Sequence, residues 1–304
     1  RAMSGKSCSP ISKPLPAMAK KPLTNIGASL RARLLNLARE TGQPFDVLLI
    51  RFVLERLLYR LGHSRHTDRF VLKGAMLLTT WRPHTSRGTR DLDLLAFGES
   101  SEDRILGIFR NIVAIDANDG VVFDPASLQA SRIREELDYG GLRLRGTAEL
   151  GGARIAIVID IAFGDSVEPG LETIDYPVLL DQPSPKLRAY APETVIAEKF
   201  QAMVALGRAN SRMKDFYDMW ALSKTFTLDP ERLSRAIRAT FARRNTVIPT
   251  EKPDALTEAF AADLSKQRQW TAFVADIIDA PRELRQVIVD IGPFLMRAAN
   301  QART

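Results

Sequence analysis

The chain reads as an α+β domain followed by a helical one. Residues 1–22 form a basic tail, 23–185 the α+β unit with its own N-terminal helices, and 186–304 the helical unit. Two observations carry this reading. Strand-like segments (RFVLK, RDLDLLAF, RIAIVIDIAFG) alternate with helix-like ones in the first part, and from Pro183–Lys186 onward nearly every segment has helical spacing. A third observation bounds it: 45% apolar and 26% charged residues are the proportions of a globular chain with a sizeable core.

NIGASLRARLLNLARETG carries apolar residues at helical spacing, and Gly42 is placed to end that helix. PFDVLLIRFVLERLLYRLGHS is a second, more apolar helix with Pro44 near its start. RFVLK predicts a short strand, GAMLLTTW a helix, PHTSRGT a loop and RDLDLLAF a strand. Residues 101–117 open on a Ser-x-Asp cap pattern and predict an amphipathic helix. GVVFDPASLQASRIRE and YGGLRLRGTAEL predict strands, RIAIVIDIAFG a buried strand, and DYPVLL the strand that closes the series. The remaining segments predict helices: PETVIAEKFQAMVAL, SRMKDFYDMWALSKTF, PERLSRAIRATFARRN, DALTEAFAADLSKQ and PRELRQVIVDIGPFLMRAANQ. There is no internal repeat.

Several function classes drop out. No run approaches the ~18 apolar residues that span a bilayer. Residues 1–22, rich in Ser, Pro and Lys, have no apolar core of signal-peptide length, so a cytoplasmic protein with no membrane partner is expected. One cysteine, Cys8, excludes a disulfide framework, and three histidines without cysteine partners give no zinc spacing. The net charge of +7 is concentrated in two places. The tail has five Lys/Arg and no acid, and residues 186–244 have twelve Lys/Arg against six Asp/Glu. A basic second half suits a polyanion, and it equally suits solvated helix faces.

The candidate chemistry begins with Asp91 and Asp93. Period two puts both on one face of a strand, roughly 6.6 Å apart. Two such carboxylates grip a hard divalent cation, Mg²⁺ or Mn²⁺, that also takes substrate phosphates. The structural alternative is a loop cap plus a pair with Arg87 or Arg90. Upstream, Gly74 at a strand-to-helix turn turns backbone amides outward beside Lys73, an arrangement that favours phosphate. Downstream, Asp160 ends a buried strand, where a lone acid is costly unless it meets a charge, a metal or a loop hydrogen bond. If its strand neighbours RDLDLL, the carboxylates number three, and Asp160 binds the metal at an attacking hydroxyl or accepts its proton. In the helical unit, Lys199 interrupts an apolar stripe, and Asp215 and Asp218 share a face of the next helix. Lys199 and Asp215 meet across the hairpin either as a phosphate-binding lysine with its positioning acid or base, or as a structural ion pair.

These pieces, in this order, resemble the AbiEii/AbiGii-type nucleotidyltransferase toxins of type IV toxin–antitoxin systems. That family, which includes the MenT-like toxins, is a branch of the polymerase-β-like nucleotidyltransferases. FVLKGAMLL is similar to the family's strand–Lys-Gly-Gly-Thr–helix segment, and RGTRDLDLL to its Arg-x-Ser/Thr-x-Asp-Leu-Asp pattern. RIAIVIDIAFG resembles the third-acid strand, ETVIAEKFQAMVAL the Glu-Lys helix, and RMKDFYDMWAL the Arg-x-Lys/Arg-Asp-x-x-Asp helix; together they span residues 70–222. One departure stands out. Ala75 and Met76 replace the family's second Gly and hydroxyl residue, so phosphate contact falls to backbone amides and Lys73.

The resemblance implies a mixed sheet with flanking helices and a C-terminal helical domain. It implies Mg²⁺-dependent transfer of a nucleoside monophosphate from an NTP to the 3′ end of tRNA, blocking translation, and an antitoxin encoded nearby. It assigns catalysis to Asp91, Asp93, Asp160, Lys199 and Asp215, with the metal on the first three. Nucleotide contact goes to Lys73, Gly74, Ala75, Arg87, Thr89 and Lys199. The basic residues Arg208, Arg212, Lys214, Arg235 and Arg238 are candidates for the RNA backbone or for solvated helix faces. Two other readings compete: nucleotidylation of a protein hydroxyl, and a catalytically inactive relative that binds nucleic acid or a partner.

Overall fold

The structure, a computed structural model, describes residues 25–82, 88–133, 140–277 and 279–304. The expected basic tail lies outside the described residues. Helices α1 (Ile26–Thr41) and α2 (Phe45–Gly62) lead into strand β1 (Phe70–Lys73), helix α3 (Gly74–Trp81), strand β2 (Leu92–Ala96) and helix α4 (Glu102–Val113). Five strands follow: β3 (Val121–Ile133), β4 (Gly141–Leu150), β5 (Ala153–Phe163), β6 (Leu171–Asp175) and β7 (Lys186–Tyr190). The chain ends in helices α5 (Pro192–Leu206), α6 (Met213–Thr225), α7 (Pro230–Arg243), α8 (Glu258–Ala261), α9 (Leu264–Phe273) and α10 (Leu284–Arg303).

Local chemistry sets many of these limits. The Asn25 side chain accepts from the Ala28 amide at 2.9 Å to start α1, and Gly42 ends it at φ 71. Asp229 caps α7, with Pro230 in its first turn. In α4, Ile105, Ile108, Phe109 and Ile112 form one buried stripe. Ser101 occupies the N-cap position of that helix, but its hydroxyl donates to Glu99 instead of capping.

The described strands form one mixed sheet in the order β3-β4-β5-β2-β1-β7-β6. β2 runs parallel to β5 and β1 parallel to β7, and the other pairs are antiparallel. The fold is α+β, as expected. The neighbouring of β5 and β2, on which the three-carboxylate reading depended, is present. A single hydrophobic cluster runs from Leu30 in α1 to Ala302 in α10.

Two strand expectations are corrected. DYPVLL is not the closing strand: β6 is Leu171–Asp175 and stops where that segment begins. Pro177 offers no amide to a ladder, and Leu180 and Asp181 take left-handed φ of 59 and 55. Helical character begins one strand later than residue 186. Lys186–Tyr190 forms β7, paired antiparallel to β6 and, through Ala189, parallel to β1 at Leu72. β7 has strand alternation, with Leu187 and Ala189 buried and Arg188 between them half-buried. Among the described residues no helix is long and apolar enough to cross a membrane.

Candidate functional site

One row of cross-strand partners builds the site. Lys73 on β1 lies opposite Asp93 on β2, Asp93 opposite Asp160 on β5, Asp160 opposite Arg143 on β4, and Arg143 opposite Ser131 on β3. Directly opposed residues project to the same face, so the sheet register alone gathers these side chains. Asp91, two residues before Asp93, joins the same face. Oxygens of Asp91, Asp93 and Asp160 all lie within 4.8 Å of one another.

Three contacts hold the carboxylates in place. Thr89 is buried and donates its hydroxyl to Asp91 Oδ1 at 2.6 Å. Arg143 grips Asp160 with both arms, Nε to Oδ1 at 2.7 Å and Nη2 to Oδ2 at 2.6 Å. Gly74 has φ +69, and a Cβ there would fall 2.0 Å from Asp93 Oδ2. Glycine is therefore required both by the backbone and by the carboxylate seated on it. Arg90, offered above as a partner for the pair, is instead on Asp46 at 2.6 Å.

The donor set fits a hard divalent cation: three carboxylates, all oxygen, converging within ligand-sharing distance. Electrostatics agree. The Asp93 carboxyl is pushed up to about 6, by burial first and then by Asp91, with Asp160 adding to the rise while Lys73 and Lys214 oppose it. A cation between them removes that repulsion. Arg143 takes one lone-pair direction on each Asp160 oxygen and leaves others open.

Across a cavity of about 200 Å³ stand α5 and α6. Lys199 Nζ lies 2.8 Å from Asp215 Oδ1 and 2.9 Å from Asp218 Oδ2, both acids being buried. Arg212 Nε lies 2.7 Å from Asp215 Oδ2. The expected meeting of Lys199 and Asp215 across the helix hairpin is thus present. Lys214 also lines the cavity.

A second ionic cluster forms another wall. Lys73 Nζ contacts Asp165 Oδ2 at 2.7 Å and Glu198 Oε1 at 2.8 Å, and lies over the Tyr190 ring. Arg244 reaches the same acids, Asp165 at 3.4 Å and Glu198 at 3.2 Å. Burial presses the Asp165 carboxyl upward, but Lys73 and Arg244 outweigh it and hold it at about 2. Lys73, expected at phosphate, is therefore anchored by two carboxylates.

The other expected nucleotide and RNA residues divide. Gly74 and Ala75 line the cavity; Arg87 lies outside the described residues. Thr89 serves Asp91 through its hydroxyl. Of the basic residues expected at RNA, Arg212 and Lys214 line the cavity, whereas Arg208, Arg235 and Arg238 are not among its lining residues. Arg208 pairs with Asp263, Arg235 lies 3.9 Å from Glu168, and Arg238 donates to the Ala302 and Gln301 carbonyls.

Sequence reasoning missed Arg143, Asp165, Glu198 and Arg244. Glu198 adjoins Lys199, and Asp165 follows the third-acid strand by two residues, so both carried a positional signal. Arg244 arrives from a different helix and carried none.

At the level of sequence, no curated protein matches. Among solved structures the chain is similar to a candidate nucleotidyltransferase from H. pylori, at 13% identity and TM-score 0.48, covering 84% of this chain and 96% of that one. It is also similar to JHP933 from Helicobacter pylori, at 12% identity and TM-score 0.48, covering 84% and 93%. The family model for the nucleotidyl transferase AbiEii toxin of type IV toxin–antitoxin systems matches residues 56–290, well over half of the chain, and the protein belongs to that family.

Proposed function

We propose that the protein transfers a nucleoside monophosphate from an NTP to the 3′ hydroxyl of tRNA, with Mg²⁺ or Mn²⁺, and so blocks translation until its antitoxin intervenes. One observation carries the reading: three carboxylates within 4.8 Å of one another face the Lys199 ammonium across a single cavity. Asp91, Asp93 and Asp160 hold the metal. When bound, it neutralises phosphate charge and polarises the phosphoryl group under attack.

This chain's residues supply the rest. Thr89 and Arg143 fix the carboxylates, so little rearrangement accompanies charge development. Lys199, held by Asp215 and Asp218, meets the NTP phosphates as a positioned point charge. The amides opening α3 at Gly74 and Ala75 line the same cavity, where Met76, fully buried, offers no hydroxyl. Asp160 orients the acceptor hydroxyl and takes its proton, as the hydroxyl oxygen bonds to the α-phosphorus and the bond from that phosphorus to the departing pyrophosphate breaks.

The test is incorporation of each α-labelled NTP into total tRNA with Mg²⁺, comparing wild type with Asp93→Ala. Label at the tRNA 3′ end, lost in the variant, is the expected result. Label entering protein instead replaces the acceptor. A folded protein that labels nothing from any NTP is an inactive relative.

A further inference from the structure

We propose that the open face of β3–β4–β5, centred on Arg143 and Arg145, is where the acceptor's phosphate backbone docks, so that its 3′ end enters the site from the β4 side. This rests on the reading above that the acceptor is RNA.

The alternation of burial along β4 and β5 defines the surface. Leu142, Leu144, Ile155, Ile157 and Ile159 are buried in the core, while Arg145, Arg154 and Ala156 between them are exposed. The register then ties this face to the carboxylates. Ser131–Arg143–Asp160–Asp93 is one continuous row, and the row beside it is Gln129–Arg145–Val158. Arg143 and Arg145 therefore stand roughly 6.8 Å apart along one strand, directly beside the site.

Charge decides what this face fits. Its first two rows beyond Asp160 hold Arg143, Arg145, Ser131 and Gln129, two cations with neutral hydrogen-bonding groups. Beyond the site's own carboxylates, the acids on this face among the described residues are Asp124, opposite Thr147 in the next row and accepting from the Ala126 amide, and Glu149, opposite Arg154. Arg145 is exposed and reaches Ser131 Oγ at 3.5 Å, a weak hold that phosphate displaces readily. Of the arginines expected at RNA, Arg208 is paired with Asp263, Arg212 with Asp215, and Arg238 with backbone carbonyls of α10, while Arg235 lies 3.9 Å from Glu168. On the opposite flank Lys73 and Arg244 are locked to Asp165 and Glu198, so that wall offers no comparable cations. Among the described residues, an extended polyanion thus finds on the β4 side the exposed Arg145, next to Arg143, which holds the acid that receives its hydroxyl. The interaction is electrostatic and salt-sensitive.

The experiment measures binding of 3′-labelled tRNA to the full chain across a salt series, together with transfer kinetics, for wild type, Arg145→Glu, Gln129→Glu and Arg235→Glu. Melting curves confirm that each variant is folded. Arg145→Glu is expected to weaken tRNA binding about tenfold and to reduce the salt slope by about one contact. It is expected to raise KM for RNA, with NTP binding in Mg²⁺ followed separately by thermal shift. Gln129→Glu, on the neighbouring strand, shifts the same readouts in the same direction and stands in if Arg145→Glu does not fold. Unchanged RNA affinity and slope in both variants overturn the surface while transfer to tRNA by wild type still stands. So does a larger loss from Arg235→Glu, which places the backbone on α7. A wild type that binds no RNA and labels protein overturns the RNA acceptor itself and this surface with it.

Discussion

Asp93 concentrates the electrostatics of the site, because the sheet register seats it between Lys73 and Asp160 while Asp91 stands two residues away. Its carboxyl is pushed up from 3.8 to about 6 by burial first and by Asp91 next. A raised acid binds its proton more tightly folded than unfolded, so the metal-free protein loses stability as pH rises from 3.8 through about 6. Metal binding needs the ionised form, so stabilisation by Mg²⁺ should be present near pH 8 and fade below about pH 6. Thermal melts with Mg²⁺ and with chelator, at several pH values, check this. Asp93→Asn should remove both the Mg²⁺ shift and its pH dependence, and a Mg²⁺ shift equally large near pH 5 contradicts the assignment. At this scale the sequence was informative where chemistry is costly. An acid in a strand (Asp91, Asp93, Asp160) or a lysine in an apolar helix stripe (Lys199) needs a partner, and the structure gathers all four around one cavity. Arg143 was not legible, because an arginine at an outward strand position costs nothing and only the register puts Asp160 beside it.

The ionic cluster of Lys73, Asp165, Glu198 and Arg244 joins four parts of the chain: β1, the turn after β5, α5 and the end of α7. It ties the sheet to α5, which carries Lys199, and to the end of α7. Asp165 is held at about 2 because Lys73 and Arg244 outweigh the burial that opposes them. A depressed acid contributes stability that is full above about pH 4 and lost as pH falls toward about 2. Removing one partner of a buried pair leaves the other charge uncompensated, a cost of about 3–5 kcal/mol. Asp165→Ala should therefore destabilise the protein by about 3 kcal/mol at neutral pH, with the difference from wild type shrinking in acid. Urea unfolding at neutral and acid pH measures it, and a neutral-pH loss below about 1 kcal/mol removes the cluster from any clamping role. Elements with strong periodicity were legible: α1, α2, α4, β5, α5, α6, α7 and α10, whereas the single helix expected over residues 254–267 is split into α8 and α9, with α9 capped by Asp263 and running on to Phe273. β6 and β7 were not. Each has only five residues, and the apolar run DYPVLL between them looked more strand-like than either. Pro177 and two left-handed residues turned that run into a loop whose Tyr176 is buried and donates to the Met76 carbonyl.

The molecule as a whole is held by one apolar cluster that crosses the sequence division expected near residue 185. The family match ends at residue 290, yet α10 continues to Arg303 and is among the most integrated elements. Beyond 290 it buries Ile291, Leu295, Ala298, Ala299 and Ala302, and it packs on α6 and α7. Its end also receives Arg238, which donates to the Ala302 carbonyl at 2.8 Å, while Arg303 donates to the Pro249 carbonyl at 2.7 Å. Cutting the chain after Asp290 removes all of these. Each buried Leu or Ile lost costs about 2–5 kcal/mol, so Ile291 and Leu295 alone account for about 4–10 kcal/mol. That rivals the roughly 5–15 kcal/mol by which a whole domain is stable. Because α6 and α7 lie under α10 and present Asp215 and, just past α7, Arg244 to the cavity, the loss should reach the candidate site. A chain ending at residue 290 should therefore show no cooperative thermal transition near that of the full chain, and no Mg²⁺-dependent stabilisation. If it melts cooperatively within a few degrees of the full chain, α10 is an appendage and the single-core account of the fold fails.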